Sequence, residues 1–243
     1  MSLLNKLRGV RDRPAGGAPS VRGGASTAVA MARERAGPAF VPRGGRVSNG
    51  LKDFMWHLKG VGRGSLLDLG PVWQTTVIYF IERGFKVYSE DVLSAWKEFL
   101  KREEVRLRAL APGEDPGDMS PRHRAEKFLA NSLKYPADTF DAVLAWDLLD
   151  YLDNELVTRV VNRISDLVKE DGVVLAIFHS KKSDGFCRYR VLDNQNLELI
   201  PASTLFQVQR IYQNREIQNL FSRFHSSKTF VGRDQLREGL FIR

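Results

Sequence analysis

Residues 65–91, SLLDLGPVWQTTVIYFIERGFKVYSED, decide the fold. Leu66, Leu67 and Leu69 read as a buried strand, closed by the run Asp68-Leu69-Gly70. Residues 76–83 read as a helix, with Val77, Ile78, Phe80 and Ile81 forming a wide apolar face. Gly84 ends that helix, because glycine enters a left-handed cap without a Cβ penalty. Phe85, Val87 and Tyr88 open a second strand, with Glu90 and Asp91 at its end. Strand, helix and strand in this order cross over right-handed and lie parallel. Ligands of such sheets lie beyond the carboxyl ends of the strands, where Gly70 and Asp91 both emerge.

The rest of the chain repeats that rhythm. Residues 48–50 (Ser-Asn-Gly) start a helix over 51–59 with Leu51, Phe54, Met55 and Leu58 on one face, and His57 reads as a surface or edge histidine. A strongly helical segment covers 92–110, followed by a polar Pro/Gly loop over 111–124, long for a connection within a domain. Residues 127–130 read as a short third strand ending near Asn131. FDAVLAW (140–146) is a buried strand, 155–169 an amphipathic helix, and VVLAIF (173–178) another buried strand. Asp193-Asn194-Gln195-Asn196 separates two short extended runs, which predicts a hairpin inserted over about 186–212, with 204–212 adding a strand. A helix over 214–223, capped by Asn214, and two strands over 228–231 and 239–243 complete the chain. The expectation is an α/β, doubly wound, mostly parallel seven-stranded Rossmann-like sheet with an antiparallel last strand.

Composition sets the bounds. Of 243 residues, 43% are hydrophobic and 27% charged, as in ordinary globular proteins. No apolar run approaches the ~20 residues of a membrane helix, the N-terminus lacks the apolar centre of a signal peptide, and Cys187 is the single cysteine. A cytoplasmic location is the expectation. The formal charge is +8, and the first 50 residues hold nine basic side chains against Asp12 and Glu34. The basic character therefore belongs to a tail, residues 1–47, ahead of a domain at 48–243. Residues 2–10 suit a short amphipathic helix, while 11–46, rich in Gly, Ala, Pro and Arg, has the composition of a disordered segment. Such a tail is either an arm for an anionic partner or a solvated linker. No aromatic residue interleaves its arginines before Phe40, which favours the linker.

The pattern resembles the class I S-adenosylmethionine-dependent methyltransferases over roughly residues 48–243. That family ends its first strand with acid-x-Gly, as in Asp68-Leu69-Gly70, and its second with an acid that binds the ribose, as at Asp91. Phe140-Asp141-Ala142-Val143 and LVKEDGVVLAIF (167–178) also look like the family's fourth and fifth strands. The resemblance implies S-adenosylmethionine as cofactor, a small-molecule or protein methyl acceptor, and Asp68, Gly70, Gln74, Thr75, Asp91, Asn131 and Trp146 as candidate cofactor contacts. It places the acceptor beside residues 146–151, with Asp147 orienting an acceptor proton and His179 as a second candidate base. Lys181 and Lys182 would draw an anionic acceptor or be ordinary surface lysines. The Asn/Asp-Pro-Pro-aromatic motif of enzymes acting on exocyclic amines is missing there, so base methylation loses support.

The departure lies in the loop. The family's second and third glycines are Val72 and Gln74 here, with Pro71 and Trp73 between. Two readings stand at this point. Either the loop is remodelled, with the Gln74 amide and Thr75 hydroxyl replacing main-chain contacts, or Val72 and Trp73 fill the space and no cofactor binds. Asp68 and Asp91 each also have a plain structural reading, as a cap of the first strand and as the start of the next helix. A nicotinamide dehydrogenase is the weaker expectation, because Gly-x-Gly-x-x-Gly is absent and its central strand does not normally end in an acid before the first glycine. The remaining alternative is a methyltransferase-fold protein without catalysis, serving as a binding or scaffold module.

Overall fold

The computed structural model describes residues 45–182, 185–202, 207–232 and 234–243. The expected helix at 2–10 and the disordered run up to residue 44 lie outside them. Arg46 and Val47, assigned by composition to the tail, form β1 (Arg46–Val47), which pairs antiparallel with β7. No described helix is long and apolar enough to cross a membrane.

The central sheet is built from β2 (Gly64–Asp68), β3 (Phe85–Ser89), β4 (Phe140–Trp146), β5 (Val168–His179), β8 (Ser226–Val231) and β9 (Leu236–Ile242). Its order is β3-β2-β4-β5-β9-β8. The first four strands are mutually parallel, whereas β9 runs antiparallel to both β5 and β8. The apolar runs read from sequence are strands buried on both faces, and successive residues feed opposite cores. Leu66, Ala142, Leu144, Val173 and Leu175 face one cluster; Leu67, Val143, Ala145, Val174 and Ala176 face the other. On the first side pack α1 (Asn49–His57) and α2 (Gln74–Ile81); on the second lie α3 (Val92–Arg108), α4 (Pro121–Leu129), α5 (Asn154–Leu167) and α6 (Asn214–Leu220).

Four local expectations are corrected. The sheet has six strands among the described residues rather than seven, because 127–129 belong to α4 and Ala130 is its C-cap. Ser120 caps that helix by accepting the His123 N–H at 3.2 Å, Pro121 fits its first turn, and Ala125 and Phe128 go into the core. α2 starts two residues early and buries Thr76, Tyr79 and Phe80, leaving Ile78 and Ile81 exposed. Gln213 rather than Asn214 precedes α6, and its N–H donates to Glu216 at 2.7 Å. Residues 207–212 form no strand, and the first part of that expected strand lies outside the described residues.

The inserted hairpin is present as β6 (Phe186–Val191) and β7 (Asn196–Ala202), with β1 completing a separate three-stranded sheet. Asp193 makes its turn by accepting the Gln195 and Asn196 N–H groups at 2.9 and 2.8 Å. Tyr189, Val191 and Leu197 bury against the α1/α2 face of the central sheet. The hairpin therefore lies over the carboxyl ends of β2 and β4.

Candidate functional site

Of two parallel neighbours, β2 ends in Asp68 and β3 is followed, two residues past its end, by Asp91. Asp68 is 1% exposed, and its Oδ1 accepts the Gly70 N–H at 2.9 Å and the Trp146 indole N–H at 2.7 Å. Burial pushes its carboxyl up to about 6, against the pull of those two donors. Asp91 caps α3, accepting the Ser94 N–H at 3.0 Å and the Ser94 hydroxyl at 2.8 Å. Its Oδ2 also faces the Arg188 guanidinium at 3.1 Å, with a longer contact of 3.4 Å on Oδ1. Both structural readings of these acids are thus realised, and an arginine from the hairpin is added.

Gly70 is required by a close approach. A Cβ there would lie 2.8 Å from Cδ1 and 2.9 Å from Nε1 of Trp146. The indole reaches this position because the β4–β5 register slips between Leu144 and Trp146, and Trp146 takes a left-handed φ of 49°. Such a conformation is rare for a bulky residue and marks local strain held by the surroundings. The indole stacks on Tyr189 of β6, ring centroids 5.5 Å apart and planes 3° from parallel.

The hairpin is fastened at further points. The Val191 N–H donates to Thr76 Oγ1 at 3.0 Å, both buried, and the Tyr189 hydroxyl donates to Asp147 Oδ2 at 3.2 Å. The Arg190 guanidinium lies 6.0 Å from the centre of the Trp73 ring. Leu69, Gly70, Trp146, Asp147, Arg188 and Tyr189 line what is left of the crevice, a cavity of about 10 Å³.

Behind Tyr189 lies a buried acid–base chain. Asp147 Oδ2 sits 3.9 Å from His179 Nε2, and His179 Nδ1 sits 2.8 Å from Asp150 Oδ2. Asp150 Oδ2 also accepts the His179 backbone N–H at 2.6 Å, which orients the residue. Burial raises Asp147 to about 7, and the Asp150 charge adds to this against His179. The His179 imidazole is raised too: burial lowers it, but Asp150 and Asp147 together outweigh that. A carboxyl poised near neutrality at a crevice wall can take or hold a proton there.

Of the residues singled out in the sequence, Gly70, Trp146 and Asp147 line this crevice, while Asp68 and Asp91 stand behind it, bonded to its lining residues Trp146 and Arg188. Gln74 and Thr75 are exposed in the first turn of α2 and do not line the cavity. Asn131 is exposed just beyond α4, its amide donating to Lys127 O at 3.2 Å, so it ends no strand at the crevice. His57 bonds Asp171 O at 2.7 Å, near the amino end of β5 and away from the carboxyl ends of the parallel strands. Thr76, Asp150, Arg188 and Tyr189 were missed. Their roles depend on where the hairpin lands, and no local spacing signals that.

The chain matches no family model and no curated protein. Among solved structures it is similar to an S-adenosylmethionine-dependent methyltransferase from Mesorhizobium loti, at 16% identity and TM-score 0.44, over 79% of this chain and 96% of that one. It is also similar to the 1,6-didemethyltoxoflavin N1-methyltransferase of Burkholderia thailandensis, solved with S-adenosylhomocysteine, at 16% identity and TM-score 0.41, over 81% and 79% of the chains. The glycopeptide N-methyltransferase MtfA, complexed with S-adenosylmethionine, gives 15% identity and TM-score 0.40 over 80% and 94%. The architecture itself is an α/β, mostly parallel central sheet of six described strands in the order β3-β2-β4-β5-β9-β8.

S-adenosylmethionine does not fit the crevice as it stands. Sites for ligands of that size enclose roughly 300 Å³ or more, against about 10 Å³ here. The acids that would hold it are present, but Trp146, Tyr189 and Arg188 occupy the space and the Asp91 carboxylate.

Proposed function

We propose that this chain is an S-adenosylmethionine-dependent methyltransferase, acting on a small-molecule or protein acceptor, whose cofactor crevice is closed in this conformation. One observation carries the reading: Asp68 ends β2 and Asp91 follows two residues after its parallel neighbour β3, both beside Gly70 at the carboxyl ends where a doubly wound sheet receives its ligand. The cofactor supplies an electrophilic methyl group. Asp91 is the residue to hold its ribose, and Asp68 sets the Gly70 turn beneath it. Asp147 Oδ2 is the group to accept an acceptor proton, once the Tyr189 hydroxyl has released it. That arrangement suits an acceptor hydroxyl or protonated amine, which must lose a proton on methylation.

The filled crevice favours a second reading, a binding module of the same fold with no catalysis. Equilibrium binding of labelled S-adenosylmethionine to the full chain separates the two. Binding that Asp91→Asn weakens at least tenfold supports the enzyme. No binding at millimolar cofactor overturns it and leaves the binding module, with the basic N-terminal segment the place to seek an anionic partner.

A further inference from the structure

Resting on that cofactor reading, we infer that the β6–β7 hairpin is an autoinhibitory strap, in which Arg188 competes with the cofactor for Asp91. The hairpin does not merely lie near the site. Its Arg188 takes the carboxylate expected to bind ribose hydroxyls, at 3.1 Å. Its Tyr189 lies parallel to, and offset-stacked on, the indole that covers Gly70. Its Val191 N–H occupies Thr76 Oγ1, directly after the glycine-poor loop. Three positions of β6, Arg188, Tyr189 and Val191, thus engage the start of α3, the end of β4 and the first turn of α2.

The fastenings differ in kind. Arg188 and Asp91 are each about one-fifth exposed, so their ion pair is partly solvated and readily exchanged for another partner. Tyr189 and Val191 are buried, at 3% and 1%. Arg188 is therefore the release point and the stack the stop. Displacing the cation leaves the Asp91 carboxylate, still capping α3 through Ser94, without its arginine and removes the guanidinium from the cavity wall. The strap thereby reduces the fraction of molecules competent to bind, which lowers apparent affinity by that fraction.

The test is titration of S-adenosylhomocysteine into the full chain and into Arg188→Ala, Arg188→Lys and Thr76→Val, with hydrogen exchange followed at Val191 and Val174. The strap predicts that Arg188→Ala binds at least threefold tighter than the parent, with Arg188→Lys between them. It also predicts Val191 exchange at least tenfold faster in Arg188→Ala, while Val174 in the central sheet keeps its protection. Should Arg188→Ala lose Val174 protection and so fail to fold, Thr76→Val takes its place with the same expected tightening. Equal or weaker binding by the folded variants overturns the strap while leaving the cofactor reading intact. Binding by none of the four proteins overturns the cofactor reading, and the strap with it.

Discussion

Arg188 and Asp91 stand 97 residues apart in the chain, yet the guanidinium of one lies 3.1 Å from the carboxylate of the other. The same carboxylate caps α3 through the backbone and side chain of Ser94. One side chain therefore serves the fold and closes the crevice.

That double role can be separated by substitution. Asp91→Ala removes the cap and the ion pair together and should cost about 1–2 kcal/mol in urea unfolding. Asp91→Asn keeps an oxygen for the Ser94 N–H and should cost less than about 1 kcal/mol. Equal losses in the two variants would show that the cap contributes nothing.

Gly70→Ala should destabilise the chain by about 1–3 kcal/mol, because the new Cβ forces the Trp146 indole off its contact with Asp68. Gly60→Ala is the control, since a Cβ there meets nothing within 4 Å. Thermal unfolding read with tryptophan fluorescence checks both, and a Gly70→Ala melt equal to the control's would contradict the packing described.

The buried acids set a pH dependence with a definite sign. Asp147 is raised to about 7 in the folded chain and lies near 3.9 unfolded, so between those values the folded state binds the extra proton. Its contribution is therefore full below about pH 4 and is lost as pH rises through about 7. Asp68, raised to about 6, and His179, also raised, act in the same direction. Stability should fall from pH 5 to pH 8. Asp147→Asn should flatten that fall and stabilise the chain at pH 8 by about 1–3 kcal/mol. A melting temperature that rises with pH over this range would contradict the assignment.

Glu238 is 2% exposed and is held by the Arg46 guanidinium, while its Oε2 accepts the Gly50 N–H at 2.5 Å. Arg46→Ala leaves that carboxylate buried with no cation and should cost about 2–4 kcal/mol in chemical denaturation, more than Glu238→Gln. The reverse order would show that Glu238 is better solvated than its surroundings indicate.

Much of the fold was legible because strong patterns are local. The runs around Leu66, Val143 and Val174 are continuous and apolar, as strands buried on both faces must be, whereas α2 ends at Ile81 with Glu82 as its cap, and Gly84 takes its positive φ of 88° in the turn leading on to β3. The run at 127–130 failed because four residues set no period. The decisive signal was Ser120-Pro121 upstream, a helix start. For the site, Asp68, Gly70 and Asp91 could be read from the ends of their strands. The indole over Gly70 could not, because it depends on a register slip and a left-handed φ at Trp146. The hairpin's turn was written in Asp193 to Asn196, but its landing on Asp91 and Thr76 is a tertiary matter that no spacing encodes.

The most direct test of the central claim watches Trp146 itself. The chain has four tryptophans, so an indole N–H spectrum of labelled protein carries four resonances, and Trp146→Phe assigns the one bonded to Asp68. Adding S-adenosylhomocysteine should shift that resonance saturably as the stack on Tyr189 opens, while the resonance of Trp96, buried in the opposite core, stays in place. Four unmoved resonances at millimolar ligand would contradict the account, and the crevice would then be a packed core rather than a closed site.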